Sequence, residues 1–345
     1  MIQTEGYAAL SNASELVPFS FEREEPQQNE VLIDILYCGI CHADIHQCKN
    51  EYGGTQYSFV PGHEIVGRIN SIGRNVTKFS RGELVGVGYF INSCGHCANC
   101  LSHEEQFCDN GITPTQNGML SDGSITKGGY SKCIVVNENY VLKVSEKLNP
   151  IAVAPLLCAG ITTYSALKHN GIGKKHKVAI LGLGGLGHMA VKFAVSFGAD
   201  VTVISSSANK EESARRLGSH HFILADKEIL KSQSENYDFI IDTISVKHDY
   251  NLYLNCLKKD GTMILLGVPP EASVLEAHVL ISHRRKITGS FIGGIKETQE
   301  MLDYCAEHSI VSDVELICPQ YINSAFDRIL KGDVKYRFVI DMSKI

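Results

Sequence analysis

Between residues 7 and 90 the apolar positions fall in short β-prone runs separated by turn residues. The runs at 31–37, 65–73 and 84–87 predict strands, and 132–136 predicts another. Gly67, inside the second run, predicts a bulge or a close backbone approach. Many short strands at this spacing predict a mainly antiparallel, barrel-like domain. Near residue 150 the pattern changes. Apolar runs at 178–181, 201–205, 239–242 and 263–267 alternate with helical periodicity, which predicts a doubly wound parallel sheet with helices on both faces. A last strand is predicted at 286–291, an amphipathic helix at 296–307 and a return to strand at 336–341. The predicted fold class is α/β. Residues 1–150 and 293–345 form the barrel-like domain, and residues 151–292 form a parallel-sheet domain inserted into it. No internal repeat, low-complexity stretch or long linker interrupts this plan.

The sharpest feature of the second half is a turn. The strand at 178–181 runs into Gly182-Leu183-Gly184-Gly185-Leu186-Gly187, and an apolar-periodic helix follows. Gly182, Gly184 and Gly187 match the G-x-G-x-x-G pattern of a dinucleotide site. The first glycine permits the sharp turn, the second admits a pyrophosphate to the backbone, and the third lets helix pack on strand. The phosphates then meet unpaired N–H groups at the positive end of the helix. Gly185 and Leu186 belong to the same phosphate-facing turn. The pattern alone is weak, but here a strand precedes it, a helix follows, and a second strand comes about 20 residues on.

Composition narrows the partners. The 345 residues carry a formal net charge of −6, and 44% are hydrophobic, enough to fill the cores of two domains. The acidic balance argues against nucleic acid and anionic membrane surfaces. No apolar run approaches the ~20 residues of a membrane span. Residues 1–7 lack the basic and apolar regions of a secretory signal. Twelve cysteines in that setting point to reduced thiols, metal binding and a cytoplasmic location.

Four of those cysteines stand together: Cys94, Cys97, Cys100 and Cys108. Four thiolates this close can wrap one tetrahedral Zn²⁺ and leave no open position, so the site is predicted to be structural. Ferredoxin-type iron–sulfur runs are tighter and end in Cys-Pro, whereas here the last gap is longer and Asp109 follows. His96 and His103 lie nearby and are predicted to be surface residues. Cys41, His63 with Glu64, and Cys158 are dispersed. Spacing alone does not group them, since a lone buried cysteine is more often a core residue. Two thiolates and one imidazole would, however, make a three-ligand zinc site with a vacant fourth position, as alcohol-oxidising enzymes use.

Together the motifs resemble the zinc-containing medium-chain dehydrogenases, most closely the cinnamyl-alcohol-dehydrogenase-like branch. The resemblance covers nearly the whole chain. It rests on Gly39-Ile40-Cys41-His42, Pro61-Gly62-His63-Glu64, the four-cysteine lobe, the stretch Leu157-Cys158-Ala159-Gly160-Ile161-Thr162-Thr163-Tyr164, the glycine turn, Gly289-Ser290-Phe291-Ile292-Gly293 and Tyr336-Arg337-Phe338-Val339. It implies that Cys41, His63 and Cys158 bind a catalytic zinc, that Glu64 is a carboxylate able to ligate it transiently, and that Asp44 orients the His63 imidazole. It also implies that Thr163, Ser290 and Ile292 lie along the cofactor and that Arg337 reaches its pyrophosphate. The rough family positions of Phe90, Met119, Leu120 and Ile295 imply an apolar substrate pocket. A homodimer joined through the last strand of the cofactor sheet is implied as well. One departure matters. The family usually carries Ser or Thr two residues after the first cysteine ligand to pass a proton between the zinc-bound oxygen and solvent, and here Ala43 stands there. A water with His46 is the expected substitute.

The cofactor reads as NADP(H). The second strand of the parallel sheet ends in Ser205-Ser206-Ser207-Ala208-Asn209-Lys210, with no acid at its tip. Ser206, Ser207 and Lys210 can bind a 2′-phosphate that a carboxylate would repel. The expected activity is interconversion of primary aromatic or aliphatic alcohols and aldehydes by hydride transfer. Two alternatives stay open from sequence: an NAD-dependent polyol or formaldehyde dehydrogenase, and a weakly catalytic protein that binds zinc and NADPH.

Overall fold

The computed structural model describes residues 1–269 and 271–345. The chain divides into two compact units, Met1–Ile161 with Gly293–Ile345, and Thr162–Ile292. The second boundary lies where the hydropathy pattern places it. The first falls at Thr162 rather than 151, because the segment after Pro150 belongs to the first unit's core. Ala152, Val153, Ala154, Leu156 and Leu157 are buried there, and Ser312 N–H donates to the Ala152 carbonyl at 3.2 Å.

The first unit is built on a seven-stranded sheet. Its order is Val314–Ile317, Arg337–Asp341, Glu30–Gly39, Ile65–Ile72, Leu84–Val87 and Leu142–Lys143, with Cys133–Asn137 also pairing Glu30–Gly39. Every pairing is antiparallel except that between the first two strands. The predicted strands are all present. The irregularity expected at Gly67 is a register shift between Ile35 and Tyr37, whose partners are Gly67 and Val66. A separate hairpin pairs Ile2–Ala9 with Leu16–Arg23.

The second unit holds a six-stranded sheet. Taken in space, its strands are His221–Leu224, Asp200–Ser205, Lys177–Leu181, Tyr237–Asp242, Leu257–Leu265 and Lys286–Gly289, all parallel. In chain order this is 3-2-1-4-5-6, the doubly wound dinucleotide-binding order. Val178, Ala179, Ile180 and Leu181 are fully buried, as a strand covered on both faces requires. The edge strand His221–Leu224 escapes the hydropathy reading because none of its residues is fully buried. Strand Leu257–Leu265 starts before its predicted position, since Lys258, Lys259 and Asp260 conceal it. No disulfide links the described cysteines, and no single helix is long and apolar enough to cross a membrane.

Candidate active site

Strand Glu30–Gly39 hands over to helix His42–Cys48, with Cys41 at the N-cap. Asp44, in the first turn, ties this junction together. Its Oδ2 accepts the Cys41 N–H at 2.8 Å and the Tyr130 hydroxyl at 3.2 Å, and its Oδ1 meets His63 Nδ1 at 2.9 Å. Asp44 and His63 are both fully buried. A carboxylate on Nδ1 fixes the imidazole tautomer and leaves the Nε2 lone pair free to ligate. His63 Nε2 is indeed buried without a hydrogen-bond partner. Cys41 Sγ lies 3.9 Å from Cys158 Sγ, and the ligand atoms of Cys41, His63, Glu64 and Cys158 fall within 4.8 Å of one another. A tetrahedral zinc with ~2.3 Å bonds sets its sulfurs roughly 3.8 Å apart, so the donor set fits that ion. The structure thus gathers the dispersed residues that spacing could not group.

The electrostatics fit a cation as well. The hydrogen bond from Cys158 holds the Cys41 thiol well below its ordinary range despite burial, with help from His63 and Arg337. The same bond, with burial, pushes Cys158 well up. A metal bound by both sulfurs would take them as thiolates and displace the hydrogen bond between them. Burial works against charge on His63, yet Asp44 and Cys41 outweigh it and raise its affinity for a proton well above normal. Burial lifts the Glu64 carboxyl to about 7 against the pull of Arg337. Arg337 is itself buried, and its guanidinium pairs with Glu64 Oε1. This is not an ordinary surface salt bridge. Glu64 Oε2 has no hydrogen-bond partner and fills the space where residue 39 would carry a Cβ.

His46 follows on the same helix. Its Nδ1 is hydrogen-bonded to the Glu51 carboxylate, and its ring lies 5.3 Å from Tyr52 and 6.0 Å from His42. Glu51 is half-exposed, so the pair leads outward. Sequence reasoning missed Glu51; the available signal was an acid five residues beyond the histidine. It also missed Tyr130, which holds Asp44, and Tyr89, whose ring meets the edge of His63 at 5.5 Å.

Cys94, Cys97, Cys100 and Cys108 form a second cluster with all sulfurs within 4.8 Å. Cys94–Cys100 is 3.9 Å and Cys97–Cys108 is 4.0 Å, again the spacing of a tetrahedral thiolate site. Backbone N–H groups point at the sulfurs: Cys97 N–H at Cys94 Sγ (3.3 Å) and Cys94 N–H at Cys108 Sγ (3.4 Å). A backbone hydrogen bond from His96 is the main reason the Cys94 thiol falls to about 5. Burial lifts Cys100 to about 11. His96 and His103 are exposed, as expected.

In the second unit, Gly182 has φ +84°, a conformation that favours glycine. Gly187 opens helix Gly187–Ser196, and a Cβ there would overlap the Gly182 carbonyl. A Cβ at Gly184 would meet nothing within 4 Å, so the turn is open at that residue. Gly185 and Leu186 complete it, Leu186 half-buried. Ser206 is exposed and Ser207 half-buried, with Ser207 N–H donating to Ser205 Oγ at 3.2 Å. Lys210 Nζ donates to the Leu183 carbonyl at 3.2 Å, which brings its ammonium to the glycine turn. Burial lowers that ammonium's proton affinity. Glu211 is occupied by Arg215 at 2.9 Å. Thr163 is buried in helix Ala159–His169, Ile292 is buried, and Ser290 N–H donates to the Leu265 carbonyl at 3.3 Å.

The expected pocket residues fare unevenly. Phe90 is a core residue, buried against Tyr140 with ring centroids 6.0 Å apart. Ile295 donates its N–H to Glu105 Oε2 at 3.0 Å and lines a cavity with Phe79 and Val141. Met119 is 69% exposed, and Leu120 lies in the turn closed by its N–H to the Ser124 carbonyl.

Known proteins resemble this chain in sequence and fold. Residues 27–146 match the model of the alcohol dehydrogenase GroES-like domain, and residues 185–307 match that of the zinc-binding dehydrogenases. The chain is 47% identical to an NADP-dependent alcohol dehydrogenase C of Mycobacterium bovis, over 98% of each chain. It is 48% identical to an aldehyde reductase of Escherichia coli, over 96% of each. Among solved structures, a cinnamyl alcohol dehydrogenase of Sorghum bicolor superimposes with TM-score 0.96 at 41% identity, covering 99% of this chain and 98% of that one.

Proposed function

This chain belongs to the zinc-containing medium-chain alcohol dehydrogenases, in their cinnamyl-alcohol-dehydrogenase-like branch, and from that premise we propose how its residues divide the work. The protein is a zinc- and NADP(H)-dependent alcohol dehydrogenase and aldehyde reductase. The observation that carries the assignment of roles is the convergence of Cys41, His63 and Cys158 around a buried, partnerless Nε2. When bound, zinc supplies Lewis-acid polarisation of a carbonyl, and NADPH supplies the hydride.

The remaining work is the chain's own. Cys41, His63 and Cys158 hold the catalytic metal, and Cys94, Cys97, Cys100 and Cys108 hold the structural one. Asp44 keeps His63 in the ligating tautomer. Glu64, with one oxygen on Arg337 and the other free of hydrogen bonds, is placed to exchange between cation partners. Gly182, Gly184, Gly185, Leu186 and Gly187 receive the pyrophosphate, with Arg337 as a further cationic contact. Ser206, Ser207 and Lys210 take the 2′-phosphate, and Thr163, Ser290 and Ile292 line the rest of the cofactor. In aldehyde reduction Glu51 and His46 relay a proton from solvent to the product oxygen, with a water in place of the hydroxyl that Ala43 lacks, and in alcohol oxidation the same groups carry the proton outward.

The substrates are primary alcohols and aldehydes with aromatic or medium aliphatic groups. The acid-free serine tip supports NADP(H) over the NAD-dependent polyol or formaldehyde reading. The unbridged cysteines support a cytoplasmic location. Strand Lys286–Gly289 ends the parallel sheet, and exposed Val274, Ile281 and Phe291 lie in the surrounding sequence. That sheet edge supports a homodimer joined there.

The test is an aldehyde panel assayed with NADPH and with NADH, alongside Cys158→Ala. Turnover of aromatic and aliphatic aldehydes with NADPH is expected, as is loss of one zinc and of activity in the variant. Full activity and metal content in Cys158→Ala would overturn the ligand set. Preference for NADH would overturn the phosphate site. Cofactor binding without turnover of any aldehyde would favour the weakly catalytic reading.

A further inference from the structure

The strand order of the parallel sheet reverses between Lys177–Leu181 and Tyr237–Asp242, and in sheets of this order a dinucleotide binds outside the C-terminal ends of those two strands. One lip of that crevice is the glycine turn. The other is residues 243–248, whose construction the reaction described above does not use. Thr243 ties the two lips together: its Oγ1 donates to the Leu181 carbonyl at 2.7 Å, and its N–H reaches the same oxygen at 3.2 Å. The Thr243 hydroxyl also lies 3.2 Å from where either Gly182 or Gly187 would carry a Cβ. Asp242, immediately before it, is fully buried. Its Oδ1 accepts the Ile244 N–H at 3.0 Å, and its Oδ2 meets His248 Nε2 at 3.0 Å. The other ring nitrogen, Nδ1, meets the Val246 carbonyl at 2.8 Å. A carboxylate and a carbonyl only accept, so both bonds are made at once only when both ring nitrogens carry hydrogen. In that form the ring closes the 243–248 segment on itself, with Ile244 and His248 both bonded to the Asp242 side chain.

We propose that Asp242 and His248 are a positioning pair for NADP(H), holding residues 243–248 as the wall that faces the glycine turn. This rests on the cofactor reading above and adds a residue pair that need not touch the cofactor.

A pH dependence follows. The groups facing His248 are Asp242 on the preceding strand, the neighbouring Asp249, and Tyr250 and Tyr253 of helix Tyr250–Leu254, whose rings lie 4.8 and 5.8 Å away. From the 271–273 segment, Ser273 Oγ donates to the His248 carbonyl at 3.3 Å, and Glu271 is engaged by Lys247 at 2.7 Å. Burial opposes the ring's charge, but the Asp242 and Val246 bonds prevail and raise it above the ordinary histidine range. As pH climbs through that raised value the ring loses a proton, and one of its two bonds loses its donor. The wall loosens and cofactor affinity falls. By reciprocity, bound cofactor must raise the proton affinity of His248 by the same factor.

The experiment uses the full-length, zinc-loaded protein. NADPH dissociation constants are measured by fluorescence titration from pH 6 to 9.5 for the wild type and for His248→Phe. The His248 ring proton is followed by NMR in the wild type with and without NADP⁺. Expected are about tenfold weaker NADPH binding in His248→Phe at pH 6.5, the scale of one lost charged hydrogen bond, and a shallower pH dependence than the wild type. The loss should fall more on KM for NADPH than on kcat. In the wild type, the His248 titration should move upward when NADP⁺ binds. An unmoved His248 titration overturns the pair even if the variant fails to fold, and so does parallel pH dependence in variant and wild type. Failure of the wild type to bind NADPH at any pH would instead overturn the cofactor reading.

Discussion

Gly39 and Glu64 occupy one space: a Cβ on residue 39 would overlap Glu64 Oε2, the carboxylate oxygen that has no hydrogen-bond partner. The glycine two residues before Cys41 is thus required by a side chain from another strand junction. Gly39→Ala should push Glu64 off its ion pair with Arg337, strain the site and lower stability by about 1–3 kcal/mol, the usual cost of overpacking a filled interior. Thermal unfolding and zinc content check this. Shortening the acid in Gly39→Ala/Glu64→Asp should recover part of the loss. If the alanine costs as much in a Glu64→Asp background as in the wild type, the two positions are not coupled.

Lys210 should set the choice of cofactor. Lys210→Ala is expected to lower kcat/KM for NADPH by about 10–100-fold, the scale of a hydrogen bond to a charged group, and to change the value for NADH only a few-fold. The sign of its pH dependence follows from burial, which lowers the ammonium below the ordinary lysine range. Its charge is lost on the alkaline side sooner than that of an exposed lysine. Preference for NADPH over NADH should therefore decline toward high pH in the wild type and stay flat in the variant. Kinetics with both cofactors from pH 7 to 10 decide it.

What could be read in advance followed from how local each constraint is. Gly182, Gly184 and Gly187 were legible because one tight turn excludes side chains within six residues of chain. The four-cysteine lobe was legible because its ligands share one short loop. Cys41, His63 and Cys158 were not legible from spacing, because the fold alone brings three separate segments together; only the family resemblance grouped them. Glu51, Tyr130 and the Asp242–His248 pair went unseen for the same reason, since polar side chains leave no periodic trace. Phe90 was misplaced because an apolar residue looks the same facing a pocket or a core. The strand His221–Leu224 was missed because partial exposure on both faces erased its alternation.

The proton route from His46 to Glu51 predicts a graded series. His46→Ala should reduce turnover by about 100-fold or more, within the range for a positioned acid–base group, and Glu51→Gln should reduce it less. Added imidazole should restore part of the His46→Ala rate, since a small base can enter the vacated volume. Ala43→Ser tests the water directly. Turnover and pH profile should stay close to wild type, because the proposed route uses a water where the hydroxyl would stand. A large gain in Ala43→Ser would mean that the missing hydroxyl limits the enzyme. A His46→Ala rate equal to wild type would remove the route altogether.

The cysteine lobe should hold its metal independently of the catalytic site, because no residue is shared between the two ligand clusters. Cys100→Ser removes one of four thiolates from a closed site, and closed thiolate sites contribute folding energy outright. Zinc content should fall from about two to about one per chain, with unfolding shifted down by several degrees, given about 2–4 °C per kcal/mol for chains of 150–250 residues. The Cys94 thiol, lowered to about 5 by backbone hydrogen bonds, is a thiolate at neutral pH and regains its proton as pH falls through that value. Protons compete with zinc for the four sulfurs, so the lobe should lose metal on acidification. Metal analysis after dialysis at pH 7 and pH 4.5 measures this. Two zinc ions retained by Cys100→Ser at neutral pH would show that the four sulfurs do not act as one site.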